Sequence, residues 1–209
     1  KYEIPYMLLI TAVLLVMGMT GNEITFIEGV ILWILFIAYL LYLYFLAKKG
    51  NDSGDEQSVK LYPVWKCLLF IVLGGVCVVI GSQLVVNGAT TIARACGMSE
   101  RFIGLTIVAF GTSLPELVTS VSAARKGNAG IAIGNIVGSN IFNILFVIGT
   151  VALICPVPFE SRFVIDTVVA ILCGVLLWGG TIRHKELRKP CGVVMLLCYA
   201  AYFVYLAAM

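Results

Sequence analysis

Glu116 is the residue in this chain whose type and position most clearly point to chemistry. It lies in Gly111-Thr112-Ser113-Leu114-Pro115-Glu116, inside an otherwise apolar run from Phe102 to Ala124. A carboxylate at that depth in a bilayer costs ~3 kcal/mol or more, so such a group faces a cavity or a partner. The competing role is a structural glutamate, protonated and hydrogen-bonded to a neighbouring helix. Pro115 bears on the choice. It has no N–H to donate and its ring clashes with the carbonyl one turn back, that of Gly111, which kinks or breaks a helix. Gly111 adds slack at the same place. Carbonyls around Ala109, Phe110 and Gly111 then lose their helical partners, which lipid tolerates only where they line a cavity or are buried in protein. Thr112, Glu116 and Thr119 recur at helical spacing, as do Ser113 and Ser120, and form one polar stripe.

The next apolar run carries a matching stripe. Asn135, Ser139 and Asn143 follow at i, i+4 and i+8. Gly130, Gly134 and Gly138 repeat at the same interval, and small residues so spaced let helices approach closely. Packing is the expected role for these glycines. For Ser139 and Asn143 a ligand role is expected, with packing as its competitor. The short Arg125-Lys126-Gly127-Asn128 turn makes the two runs antiparallel neighbours whose stripes face each other near mid-depth. One carboxylate, several hydroxyls, amides and freed carbonyls form the all-oxygen set that hard cations such as Na⁺ and Ca²⁺ prefer. One carboxylate does not neutralise a divalent ion. Transporters often build midplane sites from two inverted repeats with broken helices. One such repeat is visible here, so its partner is expected outside these residues, and the chain, which begins at Lys1, reads as incomplete.

The elements that must position these residues are membrane spans. Of 209 residues, 61% are hydrophobic and 12% charged, with a mean hydropathy of +1.04. A soluble domain is about half apolar and a quarter charged. That composition excludes a soluble enzyme and a nucleic-acid module, and the net charge of +3 suggests no polyanionic partner. The expected fold is all-α: a polytopic transmembrane bundle of about seven spans, near 4–20, 26–47, 63–93, 102–124, 129–154, 162–182 and 190–208. The third is long enough to bend or to lie along the interface at one end. Strands are not expected. Residues 48–62 read as a polar cytoplasmic linker. With that loop inside, Lys1, Lys48, Lys49, Lys60, Lys66, Arg125, Lys126, Arg183, Lys185, Arg188 and Lys189 collect on one side, against Arg94, Arg101 and Arg162 on the other. The asymmetry places the start of the chain in the cytoplasm and its end outside.

Other polar residues attract blander expectations. Asp166 falls about one turn into the sixth span, where Ser161 can cap the helix and the dipole favours an acid. Ser82, Gln83, Asn87, Thr90 and Thr91 on the third span could line a vestibule or face neighbouring helices; none is expected as a direct ion ligand. The seven cysteines are scattered without metal-binding or disulfide-framework spacing. The single histidine, His184, lies in a basic loop, so an intramembrane hydrolase lacks its constellation.

The run Gly104-Leu-Thr-Ile-Val-Ala-Phe-Gly-Thr-Ser-Leu-Pro-Glu-Leu-Val-Thr-Ser, followed by Gly134-Asn-Ile-Val-Gly-Ser-Asn-Ile-Phe-Asn, resembles the second alpha-repeat of the calcium:cation antiporter superfamily, and within it the prokaryotic sodium/calcium exchangers. The resemblance implies a ten-helix fold of two inverted halves. Residues 1–47 would be the last two helices of the first half, and 63–209 the five-helix second half with its repeat at about 102–154. The first repeat would come from a missing N-terminal half or from a second copy. Glu116 matches the family's central ion-binding glutamate. Thr112 and Ser113 match hydroxyl and carbonyl ligands, Ala109 a backbone-carbonyl ligand, and Ser139 and Asn143 the ligands on the following helix. Some relatives carry aspartate at the position of Asn143, so the amide lowers the site's charge. The implied function is secondary transport in an inner membrane: Ca²⁺ exchanged for Na⁺ by alternating access around Glu116, without a cofactor. Ca²⁺/H⁺ antiport, a channel, or a fragment inactive without the first repeat are the alternatives.

Overall fold

The computed structural model describes residues 2–50, 63–98, 100–182, 187 and 189–208. Most of the expected linker, 51–62, and the basic turn with His184 lie outside the described residues. Among the described residues ten α-helical segments follow in order: α1 Glu3–Gly21, α2 Phe26–Gly50, α3 Val64–Ala95, α4 Glu100–Ile103, α5 Ala109–Thr112, α6 Leu114–Arg125, α7 Ala129–Phe142, α8 Gly149–Ile154, α9 Ser161–Thr181 and α10 Lys189–Ala208. Two π-helical turns, Gly104–Val108 and Asn143–Ile148, join α4 to α5 and α7 to α8. Among the described residues five helical stretches are long and apolar enough to cross a membrane, and the bent pair Thr106–Thr112 and Leu114–Arg125 makes a sixth. The seventh expected span, 190–208, is a helix whose apolar stretch, Lys189–Tyr205, is shorter than the others. The third span is undivided: it is one helix of 32 residues.

The core lies between α1, α2, the α7–α8 span and α9. Ile10, Leu32, Ile141 and Leu145 are fully buried there, each worth ~1.5–3 kcal/mol relative to exposure. Aromatic side chains set the spacing. Phe36 meets Phe142 and Phe146 with ring centroids 6.0 and 5.5 Å away. Trp33 Nε1 donates to Thr150 Oγ1 at 3.2 Å, and Thr150 Oγ1 donates to the Phe146 carbonyl, so these polar groups are satisfied between α2 and α8. Helix α3 has no buried residue in its most apolar stretch and leans on the α4–α6 region along one face. Its exposed Leu, Ile, Val and Phe side chains suit hydrocarbon as solvent, as the composition requires.

A short strand pair corrects the expectation of no strands. β1 (Glu23–Ile24) pairs antiparallel with β2 (Val157–Pro158). Asn22 adopts a left-handed conformation, φ 55°, and its carbonyl accepts from Phe159 N at 2.7 Å. The pair ties the α1–α2 loop to the α8–α9 loop, so both lie at one end of the bundle, as an even number of spans between them demands. Helix α2 starts beside it with Glu28 reaching back over the helix start, Thr25 N and Thr25 Oγ1 donating to Glu28 Oε2 at 2.7 and 2.9 Å, the glutamate half of a capping box.

The expectation for Asp166 is also corrected. Glu160, not Ser161, precedes the first residue of α9 and makes no side-chain cap. Asp166 is too far along α9 for the first-turn dipole and instead accepts a 2.6 Å hydrogen bond from Tyr202 Oη of α10.

Candidate ion-binding site

The broken span forms the site. The chain leaves helical geometry at Ser113 (φ −93°, ψ 2°), and α6 restarts with Pro115 in its first turn, where its fixed φ suits the start of a helix. The two halves are bent by 51°. The break leaves the carbonyl end of α5 and the amide end of α6 meeting at mid-span. The amide end favours the negative charge of Glu116, in the first turn of α6, while the carbonyl end favours a cation.

The freed carbonyls are accounted for in part. Ala109 O accepts from Thr112 Oγ1 at 3.0 Å and from Ser113 Oγ at 3.5 Å. Phe110 O accepts from Ser113 N at 3.1 Å. Gly111 O accepts from Ser82 Oγ of α3 at 2.7 Å. The near approach of α3 depends on Gly111 having no side chain, because a Cβ there would overlap Val86.

Helix α7 runs antiparallel to α6, after a turn in which Gly127 takes φ 77°, a left-handed angle that glycine adopts at little cost. Asn135 fastens the two helices: Asn135 Nδ2 lies 2.8 Å from Thr119 Oγ1, 3.0 Å from Ser120 Oγ and 3.1 Å from the Glu116 carbonyl. One turn on, Ser139 Oγ donates to Glu116 Oε1 at 3.2 Å. The other oxygen, Glu116 Oε2, is buried and has no hydrogen-bond partner among the described residues. An unpaired buried carboxylate oxygen is costly. A cation or a proton would remove that cost.

Two clefts meet at Glu116 and Ser139. One, of about 520 Å³, is lined by Pro115, Thr119, Gly134, Asn135, Gly138 and Phe142 as well. The other, of about 480 Å³, also takes in Thr112, Ser113, Asn140 and Asn143. Thus Thr112, Ser113, Glu116, Ser139 and Asn143 come together around one space, and Ala109 joins the group through its carbonyl. Asn143 opens the second π-helical turn, and such turns recur at functional sites. A Cβ on Gly130, Gly134 or Gly138 would meet nothing within 4 Å among the described residues, so the packing expected of these glycines is not exercised between described helices, and Gly134 and Gly138 line the first cleft. The sequence offered Ser82 only as a residue lining a vestibule or facing a neighbouring helix, and left Asn135 outside the ligand set. Asn135 was within reach, since it begins the stripe that Ser139 continues.

Residues 66–208 match the family model described as sodium/calcium exchanger protein. A putative antiporter, CaxA, of Alkalimonas amylolytica is 34% identical over 97% of the chain and 66% of its own length. The inner membrane protein YrbG of Escherichia coli is 32% identical over 93% of the chain and 63% of its own length. The sodium/calcium exchanger MaX1 of Methanosarcina acetivorans is 38% identical over 68% of the chain and 41% of its own length. The solved sodium/calcium exchanger of Methanococcus jannaschii superposes with a TM-score of 0.77 at 31% identity, covering 96% of this chain and 63% of that one. The chain therefore spans less than two thirds of the length of each of these proteins.

Proposed function

The chain belongs to the sodium/calcium exchanger protein family, and from that premise we propose that it serves as part of an exchanger moving Ca²⁺ against Na⁺ around Glu116. Membership makes it a multi-pass membrane transporter component rather than an enzyme. The observation that carries the ion assignment is the buried, unpartnered Oε2 of Glu116 at the junction of two clefts and a broken helix. Thr112, Ser113, Ser139 and Asn143, with the Ala109 carbonyl, supply the remaining oxygens from this chain. Na⁺ and Ca²⁺ compete for the same carboxylate, which makes their occupancy mutually exclusive, and exclusive occupancy is what couples the two fluxes. A second set of ligands, from a segment carrying the first repeat or from a second copy, completes the charge balance. Residues 1–47 then close the first half, 48–62 link the halves in the cytoplasm, and 63–209 form the second half. The C-terminus lies outside a bacterial inner membrane.

Exchange against H⁺ is the second reading, and the same bare oxygen favours it, because a proton fills it as a cation would. Ca²⁺ uptake into vesicles under an imposed Na⁺ or H⁺ gradient separates the two. Uptake at full rate by Glu116→Gln would remove both.

A further inference from the structure

We propose that Ser82 on α3 is a positioning residue for the ion site, replacing the hydrogen-bond donor that Pro115 removes. The inference rests on the ion-site reading above and adds a residue to it. In an unbroken helix the N–H of residue 115 would donate to the carbonyl of residue 111. Proline has no such hydrogen. At this depth an orphaned carbonyl has no water to turn to. The Gly111 carbonyl receives a donor from another helix, Ser82 Oγ, at 2.7 Å, a short and well-formed distance for an O–H donor.

Three features make the contact specific to the break. Gly111 is buried, and its lack of a side chain is what lets Val86, one turn after Ser82, close over it. Gly111 sits between the Ala109 carbonyl and the Thr112 and Ser113 hydroxyls, so fixing its peptide group fixes the ligand-bearing stretch on both sides. Helix α3 is otherwise poorly embedded in the chain, with no buried residue in its most apolar stretch. A hydrogen bond at the break is therefore a large part of what registers α3 against the site.

The test uses the natural full-length protein in vesicles, with Ca²⁺ uptake driven by a Na⁺ gradient. Ser82→Ala raises the half-saturating Ca²⁺ concentration about tenfold, the factor given by ~1.4 kcal/mol, and changes the maximal rate less than about twofold. Ser82→Thr, which keeps the hydroxyl, retains the wild-type affinity. Pro115→Ala restores an N–H at position 115, so adding Ser82→Ala to that background has no further effect. Should Ser82→Ala fail to accumulate, restoration of its level by Pro115→Ala supports the assignment, and failure in both backgrounds overturns it. Wild-type affinity in Ser82→Ala, equal losses in Ser82→Ala and Ser82→Thr, or independent multiplying effects of the Ser82 and Pro115 changes also overturn it. If wild-type flux depends on Glu116 while Ser82→Ala is silent, the Ser82 assignment alone fails. If flux is indifferent to Glu116→Gln, the ion-site reading fails with it.

Discussion

Glu116 combines two demands that ordinarily conflict. Its Oε2 is buried, yet that oxygen has no donor among the described residues. Ser139 satisfies the other oxygen at 3.2 Å and so orients the carboxyl group rather than neutralising it. Glu116→Gln keeps the size and removes the charge. Removing one charge of a buried ion pair costs ~2–5 kcal/mol, so the Ca²⁺ affinity of the full-length protein falls by at least about thirtyfold, measured as the half-saturating concentration for uptake. Ser139→Ala leaves the charge and removes one hydrogen bond to it. The expected loss is about tenfold, in line with ~1.5 kcal/mol for a charged hydrogen bond. An equal loss in the two variants would contradict the division of roles.

At the scale of the element, the broken span works because its interruption is held from outside. Pro115 ends one helix and starts the next, but a proline kink alone would leave its carbonyls bare. The local hydroxyls of Thr112 and Ser113 cover Ala109 O, and α3 covers Gly111 O. Gly111→Ala places a methyl group against Val86, and because that contact is tight, α3 must shift. Overpacking of this kind costs ~1–3 kcal/mol, read as a lower unfolding temperature in detergent with weakened Ca²⁺ affinity. An alanine substitution at Gly130, where a Cβ meets nothing, is the control and leaves unfolding unchanged. The Asp166–Tyr202 bond joins α9 to α10 in the same manner, side chain to side chain across a helix pair. Tyr202→Phe leaves that carboxylate without its donor and destabilises the α9–α10 pair by ~1–3 kcal/mol, again visible in detergent melts.

For the molecule as a whole, the strand pair at one end ties the loop after α1 to the loop before α9. Glu23 and Pro158 are register partners, and antiparallel partners have Cα atoms ~4.5–5.5 Å apart, within the range a disulfide spans. Cysteines introduced at positions 23 and 158 form a cross-link under mild oxidation, detected by mass spectrometry of the joined peptides. Its absence would contradict the pairing of the two loops. The same pairing supports the parity of the span count derived from lysine and arginine placement, without deciding which face of the membrane it occupies.

The composition determined that this chain lives in lipid, because no packing of 209 residues with 61% hydrophobic content hides that much apolar surface from water. The sequence likewise located Glu116, Pro115 and the two facing stripes, since a buried charge, a missing donor and a helical period are local properties. It could not identify who answers the break. Ser82 lies 29 residues from Gly111 and Asn135 lies 19 from Glu116, and periodicity gives the face of a helix but not the neighbour against which it rests. For the same reason the glycine strip was legible as a pattern, while what it faces was not: small side chains admit either a close helix or an open cleft, and among the described residues Gly134 and Gly138 line a cleft.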